Sequence, residues 1–238
     1  SHYLSPIQKF LDASTTNEVV INKPCEIWVE TTSGWDRYEN EKLDYNWLRG
    51  FAKVAGNKTK QDITESNPIL SCTLPDGERC QIVVPPAVPA NTISITIRKP
   101  STVTYDLEGF QKLGLFDDVV IERVTISDTD KKLVELHKQK DWTSFFDLAV
   151  KAHKNIIISG ATGSGKTTFS KGLIQCIPED ERIITIEDTE ELEIPQPNHV
   201  RLFYSKDGQG VSKAGAKQLL ESCLRMRPDR ILLQELRD

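Results

Sequence analysis

The stretch Ile156-Ile157-Ile158-Ser159-Gly160-Ala161-Thr162-Gly163-Ser164-Gly165-Lys166-Thr167-Thr168-Phe169 runs from an apolar triplet through a glycine-rich turn into a helical pattern. The isoleucines predict a short buried strand over 156–158. The helix that follows must end by Cys176 or Ile177, because Pro178 cannot continue it. Gly160, Gly163 and Gly165 let successive main-chain N–H groups, including those of Ala161, Thr162 and Ser164, converge where β-carbons would obstruct them. The helix start adds unpaired donors and the positive end of its dipole. With Lys166 and Thr167 the pattern G-x-x-x-x-G-K-[ST] is complete, and it points to the phosphates of a nucleoside triphosphate. Such a match arises by chance in on the order of one chain in a hundred of this size. Its place between a strand and a helix therefore carries more weight than the match itself. Lys166 is expected to reach the β- and γ-phosphates of ATP, the Thr167 hydroxyl to hold Mg²⁺, and Thr168 to continue the loop into the helix.

Beyond this loop the chain alternates strand and helix. Apolar runs at 183–186, 200–204 and 231–233, with a helix over about 212–227, predict a mostly parallel sheet covered by helices. Two of these strands end in acid. The first runs into Glu187 and Asp188, with Glu190 and Glu191 close behind, and the last runs through Gln234 into Glu235. Ligands of open parallel sheets gather at the carboxyl ends of the strands, so both clusters are expected to face the phosphate loop. Hydrolysis needs a group to orient water and charges to hold the metal. Glu235 suits the water; Glu187 and Asp188 join Thr167 as candidates for Mg²⁺. The plainer alternative for each carboxylate is a solvated residue at a strand end.

The first hundred residues read differently. Runs at 26–30 and 35–39 flank Thr31-Thr32-Ser33-Gly34 and predict a hairpin, as do 69–74 and 79–84 around Pro75-Asp76-Gly77. A helix is expected over 43–55, with Trp47, Leu48, Phe51, Val54 and Ala55 on one face and Gly56 as its stop. Ile93, Ile95 and Ile97 alternate with Ser94, Thr96 and Arg98, which predicts a strand with one buried and one polar face. Short helices follow at 107–113, 130–140 and 143–151. The division expected is an N-terminal α+β domain at 1–100, a connecting region at 101–140 and a phosphate-loop α/β domain at 141–238.

A chain of 238 residues can bury a sizeable core, and 38% apolar with 27% charged residues describes a globular protein. No run approaches the ~18 apolar residues of a membrane span, and no charged-then-apolar leader opens it. The net charge of −5 argues against a dedicated nucleic-acid binder. The five cysteines include no CxxC pair, so reduced thiols are expected rather than a metal site or a disulfide framework.

Taken in order, these motifs resemble those of the secretion traffic ATPases, and specifically the type IV secretion branch. The resemblance spans nearly the whole chain. It includes Asn67-Pro68-Ile69-Leu70-Ser71, Asp76-Gly77-Glu78-Arg79-Cys80-Gln81-Ile82-Val83, Thr92-Ile93-Ser94-Ile95-Thr96-Ile97-Arg98-Lys99-Pro100-Ser101 and the phosphate loop. It also covers the acidic run 183–192 and Cys223-Leu224-Arg225-Met226-Arg227-Pro228-Asp229-Arg230-Ile231-Leu232-Leu233-Gln234-Glu235-Leu236-Arg237. It implies two-domain subunits, an α/β N-terminal domain and a RecA-like P-loop ATPase domain, assembled as a homo-hexameric ring with nucleotide between the domains. It makes Glu187 to Glu191 the family's acidic "Asp box", with Glu191 its most characteristic member, and Glu235 the Walker B glutamate. It assigns Arg79 and Arg98 to the terminal phosphate and puts Arg227 near the nucleotide. It implies ATP and Mg²⁺ as cofactors and a cytoplasmic protein peripheral to a bacterial inner membrane. Its partners would be other secretion-machine ATPases and inner-membrane channel components, without direct nucleic-acid binding.

Two departures stand out: Gln234 occupies a position where many relatives carry a small residue, and the family continues beyond Walker B through a "His box". The resemblance thus implies a longer polypeptide that completes the sheet. The alternatives weighed are a type II secretion or pilus-retraction motor, whose paired-CxxC module is absent from these residues, and a nucleotide-gated docking platform with little turnover.

Overall fold

Glu18-Val19-Val20-Ile21, a run too short to announce itself by periodicity, forms a central strand of the N-terminal sheet. The computed structural model describes residues 2–101, 103–119, 126–205 and 210–235, so Leu236 and Arg237 of the last motif lie outside the described residues. Six strands pair antiparallel: β1 (Glu18–Ile21), β2 (Glu26–Thr31), β3 (Gly34–Glu39), β4 (Ile69–Thr73), β5 (Arg79–Val83) and β6 (Ser94–Arg98). Their order is β3-β2-β1-β6-β5-β4. Both expected hairpins are present, β2–β3 and β4–β5.

One face of this sheet packs against α1 (Gln8–Asp12) and α2 (Tyr45–Thr59), burying Ile21, Ile27, Ile82, Ile95 and Ile97 with Phe10, Leu48, Phe51 and Ala55. Asp44 caps α2 by accepting the Trp47 N–H at 2.7 Å. Two details of this helix differ from expectation. Val54 is exposed and Ala52 buried in its stead. Gly56 does not stop the helix, which runs on to Thr59 and ends at Lys60 in the left-handed conformation. The glycine answers to space instead: a β-carbon there would stand 2.7 Å from the Gln61 carbonyl oxygen.

The other face of the sheet carries the polar residues of the alternation read from β6, and at Ser94 and Thr96 it is covered rather than solvated. Ser94 and Thr96 are each 1% exposed. Thr96 pairs with Gln81, and Gln81 with Ser71, so a polar stripe crosses three strands. Gln81 accepts from the Ser71 hydroxyl at 2.5 Å and donates to Ser222 Oγ at 2.8 Å. The polar face is thereby covered by a later part of the chain. Apolar packing continues beside it, where Val83, Ala87 and Val88 meet Ile184, Ile186, Val200, Leu202, Leu219, Cys223 and Met226.

Two compact units divide the chain: Ser1–Pro100 with Ala161–Asp238, and Ser101–Gly160. The second holds α3 (Leu107–Lys112), α4 (Asp128–Gln139) and α5 (Trp142–Lys151). Helices α4 and α5 pack on each other, and Leu133, Leu136, Ala149 and Val150 are buried. Residues 155–160 carry no regular structure and Ile157 is 80% exposed, so the strand expected over 156–158 is absent. A β segment needs a ladder partner, and none of the described strands pairs with this one.

The remainder of the first unit contains α6 (Lys166–Gln175), β7 (Ile183–Glu187), β8 (His199–Phe203), α7 (Ala216–Cys223) and β9 (Arg230–Leu233). The three strands are parallel, ordered β8-β7-β9. Helix α7 is shorter than the 212–227 expected; Gly215 precedes it, and its N–H is met by the Gln218 side chain at 3.3 Å. No helix of the described residues is long and apolar enough to cross a membrane.

Candidate functional site

Gly165 stands immediately before α6 with φ +89°, and Gly163 has φ +78°, conformations that only glycine adopts without strain. Nothing lies within 4 Å of where a β-carbon would stand at either position, so this part of the loop borders open space. The turn is closed by the Ser164 N–H donating to the Ala161 carbonyl at 3.1 Å. Lys166, the first residue of α6, bends back so that Nζ donates to the same carbonyl at 3.0 Å. Thr162 is exposed, Thr167 is half-buried in the first turn of α6, and Thr168 beside it is exposed. Gly160 ends the other compact unit. Helix α6 is tied to the connection between β7 and β8 by Lys171–Glu193 at 2.9 Å. Gln196 Nε2 adds bonds at 2.9 Å to the carbonyls of both Ile174 and Ile177.

The acidic run after β7 is an organised turn. Glu187 is fully buried. Its Oε1 accepts from the Glu191 N–H at 3.2 Å, the Leu192 N–H at 3.1 Å and Arg201 Nη2 at 2.8 Å. Its Oε2 accepts from Thr185 Oγ1 at 2.7 Å and Arg201 Nε at 2.9 Å. Burial by itself would raise the Glu187 pKa, but the bonds from Arg201, Thr185 and Leu192 hold it below the ordinary value. With five donors on its two oxygens, Glu187 organises the turn. Arg201 also reaches Glu190 Oε1 at 2.6 Å. Asp188 and Glu191 both meet Gln234: the Asp188 N–H donates to Gln234 Oε1 at 3.1 Å, and Gln234 Nε2 donates to Glu191 Oε2 at 3.0 Å. Glu235 follows at the end of β9 and is exposed.

Arg79 and Arg98 are brought together by register, directly opposite each other on β5 and β6. Like charges so placed repel. Arg98 is compensated by a hydrogen bond to Glu18 on β1, whose carboxyl burial pushes up while Arg98 pulls it back. Both arginines line a cleft of about 420 Å³, with Ser71, Thr73, Gln81 and Arg225. Arg227 is placed otherwise. It binds Glu30 of β2 through Nε at 3.2 Å and through Nη2, and Asp229 through Nη1 at 2.7 Å.

Three residues escaped sequence reasoning. Arg201 lies between buried Val200 and Leu202, and strand alternation puts it on one face, but only the parallel register sets it opposite Thr185 beside Glu187. Arg225 falls within the last motif of the resemblance, but no role is read for it there; it lines the cleft with Arg79 and Arg98. Arg182 is fully buried, its Nη1 shared between Asn22 Oδ1 at 2.7 Å and Asn198 Oδ1 at 2.6 Å and its Nε on the Met226 carbonyl at 2.9 Å. Burial pulls its pKa down to about 10. No local pattern marks such a residue.

A parallel sheet with a glycine loop opening a helix and acid at its strand ends defines a P-loop NTPase-like arrangement. The family model for "Type II/IV secretion system protein" matches residues 2–238, and the chain belongs to that family. The type IV secretion system protein VirB11 of Bartonella henselae is 53% identical over 248 residues, covering 99% of this chain and 69% of that protein. VirB11 of Brucella suis is 44% identical, covering 99% and 66%. The crystal structure of the VirB11 ATPase from the Brucella suis type IV secretion system in complex with sulphate superposes with a TM-score of 0.91 at 43% identity. It covers 99% of this chain and 68% of that one. These relatives set the chain in the type IV branch of the family.

Proposed function

We propose that this chain binds and hydrolyses ATP as part of a type IV secretion traffic ATPase, powering substrate transfer or pilus assembly. The observation that carries the reading is the loop from Ala161 to Gly165. Its glycines sit in the left-handed region facing open space, at the head of α6, with Lys166 folded against it. Main-chain N–H groups of this loop hold the phosphate oxygens, and Lys166 exchanges its bond to the Ala161 carbonyl for the β- and γ-phosphates. Thr167 and Asp188 would hold Mg²⁺, which when bound neutralises phosphate charge. Glu187 acts on the site through its grip on the Glu191 and Leu192 amides. Glu235 orients the attacking water, and Glu191 acts with it. Arg79 and Arg98, with Arg225 adding to the positive charge of their cleft, stabilise the charge that develops on the terminal phosphate. Arg227, engaged by Glu30 and Asp229, supports the site through the N-terminal sheet.

The same reading takes residues 1–100 as an N-terminal domain and 141–238 as a RecA-like ATPase domain. The working form is a homo-hexamer on the cytoplasmic side of a bacterial inner membrane, docked to other secretion ATPases and to channel components. The two domains close over ATP and part after hydrolysis.

Mg²⁺-dependent phosphate release by the full-length protein tests the proposal, with Lys166→Ala as the control. Loss of at least about a hundred-fold in kcat is expected, the scale of removing a phosphate-binding charge. Equal rates in both proteins would dismiss the loop as the site.

A further inference from the structure

Gln234 is the last residue before Glu235, and its three hydrogen bonds all cross from β9 to β7 and the turn that follows. Its main-chain N–H donates to the Ile186 carbonyl at 3.0 Å, extending the ladder one residue past the strand. Its side-chain oxygen accepts the Asp188 N–H at 3.1 Å, and its side-chain nitrogen donates to Glu191 Oε2 at 3.0 Å. Glu187 holds the main chain of Glu191 through the 3.2 Å bond that Oε1 accepts from its N–H. The backbone of Glu191 is therefore fixed by one residue and its carboxylate by another.

We infer that Gln234 is a positioning residue for hydrolysis: it holds the Glu191 carboxylate in one rotamer against the end of β9, so that the acidic turn and the strand end that carries Glu235 form one piece. The inference rests on the ATP-hydrolysing reading given above. Glutamine suits the task because one planar amide offers an acceptor to an N–H and a donor to a carboxylate at once. Alanine offers neither. Glutamate keeps the acceptor but sets a second carboxylate against Glu191, and two such groups in contact share a proton whose loss is coupled. Glu191 is exposed, so without the amide its long side chain regains the rotamers that the contact removes.

The test uses the full-length protein with Mg²⁺ and ATP, comparing wild type, Gln234→Ala, Gln234→Glu and Lys166→Ala. Steady-state rates are followed from about pH 5.5 to about pH 8.5, and the affinity for a fluorescent ADP analogue and the melting temperature are measured separately. Gln234→Ala is expected to lower kcat about ten-fold, an effect confined to the turnover step, with ADP affinity and melting temperature nearly unchanged. Gln234→Glu is expected to match that loss at high pH and to recover as the pH falls, when the introduced carboxyl carries a proton and donates to Glu191. Wild-type kcat in Gln234→Ala overturns the inference. So does an equal, pH-independent loss in both variants accompanied by a lowered melting temperature, which is the signature of a structural role alone. A wild type no faster than Lys166→Ala removes the hydrolytic reading and this inference with it, whereas active wild type with unaffected Gln234 variants removes this one only.

Discussion

Glu187 illustrates how a residue chosen for its type can acquire a different role from its surroundings. A carboxylate at the end of an apolar strand suggests a metal ligand, yet here five donors converge on its two oxygens in a fully buried setting. The ionised form is favoured, so the sign of its pH linkage is fixed. Its stabilising contribution is complete above the ordinary carboxyl pKa of 4.5 and is lost as pH falls through the lowered native value. Glu187→Gln is expected to cost about 3 kcal/mol at neutral pH, the scale of breaking a buried ion pair. Thermal unfolding from about pH 7 down to about pH 3 should find the gap to wild type narrowing with acid. A gap that stays constant would mean that charge is not what Glu187 contributes. Arg182 is the complementary case, a fully buried cation that neither composition nor spacing marks, held by two asparagines and a carbonyl.

At the scale of elements, local chemistry was legible wherever it was self-contained. The two hairpins, the end of α6 before Pro178 and the three parallel strands follow from turn residues, proline and apolar runs, all of which act within a few residues. Elements that depend on a neighbour were not. The four residues of β1 are a strand because β2 and β6 flank them. The isoleucines at 156–158 are not one, because no described strand pairs with them. Gly56 shows the same limit in a helix. Alanine is the better helix former by about 1 kcal/mol, but its β-carbon would press on the Gln61 carbonyl, whose own N–H returns to the Gly56 oxygen at 3.0 Å. Backbone cannot yield as a flexible side chain does, so Gly56→Ala is expected to destabilise by about 2 kcal/mol in urea unfolding. A stabilised variant would restore the reading of Gly56 as an ordinary interior helix glycine.

Across the whole molecule, contacts from residues far apart in sequence hold the N-terminal part of the first compact unit to its later part. Gln81 reaches Ser222, Asn22 shares Arg182 with Asn198, and Glu30 takes Arg227. The Glu30–Arg227 pair is expected to be structural. A double-mutant cycle with Glu30→Gln and Arg227→Lys should give a coupling of about 1 kcal/mol in unfolding free energy. If Arg227→Lys instead weakens nucleotide binding with no change in stability, the arginine acts on the ligand as the family resemblance implies.

The phosphate loop, the acid at the ends of β7 and β9, the alternation of strand and helix and the kinship with secretion ATPases were all written in the order of residues. Each is a local pattern whose chemistry needs no distant partner. Only the folded chain decided that Arg201 saturates Glu187, that Gln234 joins the two acidic ends, that Arg79 and Arg98 face each other across β5 and β6, and that the polar face of β6 is covered. Those outcomes depend on strand register and on which surfaces meet. Both are set by the packing of residues far apart in sequence, about which a linear pattern carries no information.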